Sequence, residues 1–168
     1  MPIHSRSDAR GTANRSGTRV ARVGVLLAHD PSTRTCDALC IALRAAFADV
    51  EIFDAPSAEY ARTAGHALPV DVSLVCLDLP PAPIGGVRLA QEIARERRPV
   101  VLVTRSLRWL PPSAVELRAL PWVSPEASSA EIARAIASAC EACAALAAPA
   151  GRASRLPGEP LVVGDDGA

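Results

Sequence analysis

The chain contains no lysine: all 18 of its positive charges are arginine. Aromatic residues are nearly as scarce, with two Trp, one Tyr and two Phe in 168 residues. The 49% of nominally apolar residues includes 33 alanines, so the large side chains support one core of roughly 120 residues, not two domains. Charge of either sign is not in excess, because 18 acidic residues balance the arginines and the net charge is +0. The whole chain therefore has no electrostatic bias toward nucleic acid or an acidic surface. No apolar run approaches the roughly 18 residues of a membrane span. Residues 1–19 lack the hydrophobic stretch of a secretory signal. Five cysteines, an odd number without framework spacing, read as reduced thiols in a cytoplasm. No G-x-G-x-x-G follows the first apolar run, and no lysine exists to complete a phosphate loop. These absences argue against membrane proteins, disulfide scaffolds and secreted enzymes, and the dinucleotide and P-loop readings drop out.

What is present is an alternation. Residues 1–18 are polar and lack apolar periodicity, and residues 148–168 are rich in Pro, Gly, Ala and acid, so both ends read as tails around a domain of residues 19–147. Within the domain, Val20 to Ala28, Val72 to Leu77 and Pro99 to Thr104 are apolar runs interrupted only by Arg22, by Ser73 and by the closing Thr104, the pattern of strands buried on both faces. Val50 to Phe53 and Trp122-Val123 read as shorter strands. Helical segments fall between them. One opens at Asp30-Pro31, with Asp as N-cap, and carries Cys36, Leu39, Cys40 and Leu43 on one side. Others cover Ser57 to His66 and Gly86 to Arg97, and Ser113 with Glu116 fits a capping box for a short fourth helix. Ser128 with Glu131 opens the last helix, which runs to about Ala147. The expected fold is an α/β three-layer, doubly wound (βα)5 domain with a five-stranded parallel sheet, flavodoxin-like in class.

In such a sheet, chemistry sits at the carboxyl ends of the strands. Those ends hold His29 and Asp30, Asp78, Thr104 and Ser124. An acid directly after a buried strand, as in Cys76-Leu77-Asp78-Leu79-Pro80-Pro81, is not required by packing; its bland reading is a turn starter. Five βα units of this length, Asp78 closing the third strand, Gly86 eight residues on, Val103-Thr104 closing the fourth and Val123-Ser124-Pro125 after the fifth resemble a response-regulator receiver domain across residues 20–147. The resemblance implies an aspartyl-phosphate at Asp78 and a reporting surface on the fourth helix, fifth strand and fifth helix, residues 107–147. It implies Thr104 as the switch hydroxyl and Ser124 at the phosphate-contacting step before a proline.

Two departures from the family pattern carry the functional expectation. The acid pair that holds Mg²⁺ after the first strand falls here on Ala28 and His29, or with a one-residue shift on His29 and Asp30. At most Asp30 and Asp78 remain as metal ligands, and imidazole is a poor ligand for a hard cation. The second departure is Ser124 in the place of the family's lysine; Arg105, beside Thr104, is the one cation placed to substitute.

The expectation is a stand-alone, degenerate receiver in phosphorelay-type signalling. It would not be an enzyme and would have no cofactor, the depleted acid set arguing against Mg²⁺. It would work by contact with a protein such as a histidine kinase or a separate output protein. Two alternatives stay open: a working receiver phosphorylated on Asp78 by a histidine kinase, and a small flavodoxin-like ligand-binder or enzyme with a pocket above Asp78, Thr104 and His29.

Other patterns point to packing. Cys36 and Cys40, with Cys140 and Cys143, suggest a four-thiolate zinc site between the first and last helices. Their offset along parallel helices is about 9 Å, far more than a Zn–S bond of ~2.3 Å, so small buried thiols are expected. No Cys-His or Ser-His-Asp arrangement is suggested by spacing, with His66 and His4 in a loop and a tail. Trp109 and Trp122 flank the short fourth helix. Core packing is the simplest reading, and an exposed Trp109 would mark a partner surface.

A chain cut to residues 19–149 should keep its unfolding midpoint within about 4 °C of the full chain, the shift that a roughly 1 kcal/mol loss produces in a domain of this size. A larger drop in a thermal melt would show that a tail packs on the domain.

Overall fold

The computed structural model describes residues 22–147, so the expectations for the two tails lie outside the described residues. The chain alternates β1 (Val23–Ala28), α1 (Thr35–Ala46), β2 (Val50–Ala55), α2 (Ala58–Ala67), β3 (Val72–Cys76), α3 (Gly85–Arg95), β4 (Val100–Val103), a 3₁₀ helix (Pro112–Ala119), β5 (Trp122–Val123) and α4 (Ser129–Ala147). All strands are parallel, in the order β2-β1-β3-β4-β5. This is the flavodoxin-like sheet that the alternation predicts.

The period of two along each strand sorts the core into two faces. Val25, Leu27, Leu74 and Val101 meet α1 and α4 through Leu39, Leu43, Ile132 and Ile136. Leu26, Val75 and Leu102 meet α2, α3 and the 3₁₀ helix on the other side through Ala61, Leu89 and Leu117. β3 is buried along its whole length because it sits mid-sheet with helices on both faces.

Helix starts differ from the sequence reading in two places. Asp30-Pro31 does not open α1: the Asp30 carboxylate accepts from Ser32 N–H at 2.9 Å and Ser32 Oγ at 2.8 Å, closing a turn, and α1 begins at Thr35. The short polar side chain finds its partner two residues on, the local competition that favours Asx turns. Ser113 and Glu116 form no capping box. Gln91 of α3 donates to both the Ser113 carbonyl and Glu116 Oε1, and the segment winds as a 3₁₀ helix with a kink at Ala114. The box at Ser128 forms as expected, with the Ser128 hydroxyl accepting from Glu131 N–H and the Glu131 carboxylate accepting in return. β2 runs two residues beyond Phe53, and His66 lies in the last turn of α2, 3.6 Å from Glu96, not in a loop.

Gly86 is required by a close approach. A Cβ there would lie 2.2 Å from the Cys76 carbonyl oxygen and 2.7 Å from Leu77 Cα. The start of α3 therefore rests directly on the end of β3, and that contact holds the segment carrying Asp78. Gly86→Ala should lower stability by about 1–3 kcal/mol, the usual cost of forcing extra volume into packed backbone, read from a urea titration. An unchanged midpoint would mean that α3 slides freely on the strand end.

Candidate functional site

Asp78 is exposed, two residues past the end of β3. Thr104, one residue past β4, is buried beside it. Together with Thr35, Cys76, Arg105 and Trp109 they line one cavity of about 250 Å³ at the carboxyl edge of the sheet. The sheet thus brings together three of the residues read from the sequence: Asp78, Thr104 and Arg105.

The groups around Asp78 have other commitments. Thr104 Oγ1 donates to the Ser106 carbonyl at 2.9 Å and accepts from Ser106 N–H at 3.3 Å, so its hydroxyl is held by its own loop. Arg105 donates to the Glu126 carboxylate, which holds the Glu126 carboxyl below its ordinary range. The same bond, more than the weaker field of Asp78, raises the guanidinium further. Ser124 lines a different cavity, about 520 Å³, between β5 and α4; Pro125 reaches the Asp78 cavity instead. Asp30 is turned to Ser32, which keeps its carboxyl below the usual value. Among the described residues, no lining residue of the Asp78 cavity other than Asp78 carries a carboxylate.

His29 does not join that cavity. It is 4% exposed, its backbone N–H bonds the Ala55 carbonyl, and its Nε2 faces the Asp54 carboxylate. Nδ1 lies 3.2 Å from the Asp30 carbonyl oxygen. Cys36, in the first turn of α1, completes a cluster: one ligand-type atom from each of His29, Cys36 and Asp54 lies within 4.8 Å of the other two. Spacing along the sequence does not suggest this grouping, because the sheet and α1 bring it together; Asp54 lies beyond Phe53, where the second strand was expected to end, and β2 runs on to Ala55. The cluster does not have the character of a nucleophile. Burial, then the hydrogen bond with Cys40, push the Cys36 thiol up to about 12, and a reactive cysteine needs the opposite shift. Burial likewise pushes Cys76 up to about 12. Cys140 and Cys143 take no part in this cluster.

Trp109 and Trp122 are 42% and 46% exposed, so neither is a core residue. Trp122 borders a groove with Leu107, Arg108 and Arg118. Among the described residues, no helix is long and apolar enough to cross a membrane.

No protein-family model matches the chain, and no curated protein matches it. Solved structures do. The N-terminal domain of a response regulator/sensory box/GGDEF three-domain protein from Carboxydothermus hydrogenoformans is 18% identical, over 73% of this chain and 98% of that one, at a TM-score of 0.60. The signal receiver domain of a modulated diguanylate cyclase from Desulfovibrio desulfuricans is 20% identical, over 75% and 99%, at 0.60. A response regulator receiver domain protein from Clostridium thermocellum is 18% identical, over 74% and 98%, at 0.58. At such identities the likeness is one of fold.

The Arg105 and Glu126 side chains are 77% and 60% exposed, so water screens their attraction. Arg105→Ala should move the thermal midpoint by no more than about 2 °C. A larger loss in a melt would make the pair a structural element and not a surface contact.

Proposed function

We propose that this chain is a degenerate receiver-type signalling module, not an enzyme, that acts by contact with a partner protein and transfers phosphoryl groups weakly or not at all. One observation carries the reading. Asp78 lies exposed just past β3 at the carboxyl edge of the sheet, the place that the family resemblance would give a phosphoacceptor, and each group that would meet a phosphoryl there is engaged elsewhere or absent: Arg105 by Glu126, Thr104 by Ser106, Ser124 in another cavity, and the paired acids reduced to at most Asp30, which is bonded to Ser32.

Phosphoryl transfer depends on positioned charge, since the transferring group is anionic and must approach a carboxylate. Mg²⁺ would rest on Asp78 and Asp30, and Asp30 is occupied by Ser32. Each missing electrostatic partner costs on the order of 10² in rate, so a site lacking two is on the order of 10⁴ slower than a complete one. The alternative of a ligand-binding domain or enzyme is weakened by volume. The Asp78 cavity holds about 250 Å³, below the roughly 300–1,000 Å³ of small-molecule pockets, and its polar groups do not converge.

The partner surface in this reading spans residues 107–147. Trp109 and Trp122 supply exposed aromatic anchors, and Arg105, Arg108 and Arg118 line a groove of about 380 Å³ beside Trp122. That chemistry suits an acidic face on a histidine kinase or a separate output protein.

Intact-mass spectrometry after incubation with a small-molecule phosphodonor and Mg²⁺ tests the reading. No adduct within minutes is expected, with Asp78→Asn indistinguishable from the unaltered chain. Stoichiometric phosphate that disappears in Asp78→Asn would replace this reading with that of a working receiver.

A further inference from the structure

We propose that His29, Cys36 and Asp54 hold a borderline-soft divalent metal of the zinc class where the ends of β1 and β2 meet the first turn of α1, with Cys40 turning in from the next turn to complete a tetrahedral site. The ligand atoms of His29, Cys36 and Asp54 already lie within 4.8 Å of one another. Cys40, one turn along α1, brings its sulfur 3.6 Å from that of Cys36. Two thiolates bound tetrahedrally at ~2.3 Å stand about 3.8 Å apart, close to that spacing, and the Cys40 side chain has only to turn toward His29 and Asp54, whose cluster with Cys36 it borders.

The imidazole gives the second argument. The ring sits between two acceptors: Nδ1 lies 3.2 Å from the Asp30 carbonyl oxygen and Nε2 faces the Asp54 carboxylate. Either nitrogen can carry the proton. With the proton on Nε2 the metal-free ring donates to Asp54; with the proton on Nδ1 it donates to Asp30 and presents the Nε2 lone pair beside Cys36, and an ion bound there takes the place of the Nε2–Asp54 hydrogen bond. A histidine held through Nδ1–H by a backbone carbonyl, with Nε2 free to ligate, is the usual outer-sphere arrangement around a metal.

The ligands stand on rigid supports. Val25, Leu27 and His29 share one face of β1, and Ile52 and Asp54 share the same face of its neighbour, with Leu27 opposite Asp54 in register. α1 lies across that face, and the spacing of Cys36 and Cys40 turns both toward it. Nitrogen and sulfur donors exclude a hard cation such as Mg²⁺ and favour Zn²⁺ or Co²⁺. Binding would displace the thiol protons, so affinity falls as pH falls. The ion would pin the first turn of α1, whose Thr35 lines the Asp78 cavity, to the strand ends.

The test uses the full chain, stripped with a chelator and kept reduced with a phosphine, titrated with Co²⁺. One ion per chain should give the strong visible bands of tetrahedral cobalt and a near-ultraviolet thiolate-to-cobalt transition, both abolished by Zn²⁺. Cys36→Ser and Asp54→Asn should each weaken cobalt binding at least tenfold, roughly the lower bound seen when even an outer-sphere partner is removed. Cys140→Ser with Cys143→Ser should change nothing. Asp54 is 63% exposed, so Asp54→Asn separates ligand loss from misfolding, which circular dichroism of the metal-free chain checks. A pale spectrum without the thiolate transition would overturn the site. So would bands that survive Cys36→Ser and Asp54→Asn, or that vanish with Cys140 and Cys143.

Discussion

Everything at the functional edge depends on a sheet that is parallel and covered on both faces. Parallel strands need a crossover between each pair, and the crossovers here place α1 and α4 on one face and α2, α3 and the 3₁₀ helix on the other. Burial on both faces leaves the three central strands apolar apart from Ser73, so charged groups from those strands stand at their ends. All five carboxyl ends then point the same way. His29, Asp54, Asp78, Thr104 and Ser124 are gathered at one edge by that constraint alone, although 95 positions separate the first from the last.

Within that edge, local hydrogen bonding decides what each residue offers. Thr104 and Asp30 are satisfied by backbone and side chains two residues away, at lower entropic cost than reaching across the cavity. Arg105 has two carboxylates in its neighbourhood and bonds Glu126, leaving Asp78 as an exposed carboxylate with no cation bonded to it among the described residues. The edge is consequently split. Near β3 and β4 stand Asp78, Thr104 and Arg105, the last two bonded to other partners, and near β1 and β2 lies the cluster of His29, Cys36 and Asp54.

The strand periods and most helix spans were legible because they come from burial, which repeats along the sequence. The three long apolar runs became the three central strands, and the Leu39 and Leu43 stripe became the buried face of α1. The Ser128 and Glu131 box was legible because both partners lie within one turn. Asp30 and Ser113 misled for the same reason in reverse: each has the residue type of a cap, but a nearer or stronger partner took its place, Ser32 in one case and Gln91 from another helix in the other.

The sequence by itself determined the layer architecture and the gathering of Asp78, Thr104 and Arg105 at one edge, since hydrophobic periodicity specifies which face of each element is buried. Tertiary structure alone decided the partners. That His29 turns to Asp54 rather than Asp78 follows from β1 pairing with β2 on one side and β3 on the other, and from the ring lying on the α1 face with Leu27. That Arg105 meets Glu126 follows from where the loop after β5 passes. Side chains 21 to 25 positions apart meet through the register of strands and the path of loops, and no local pattern encodes that distance.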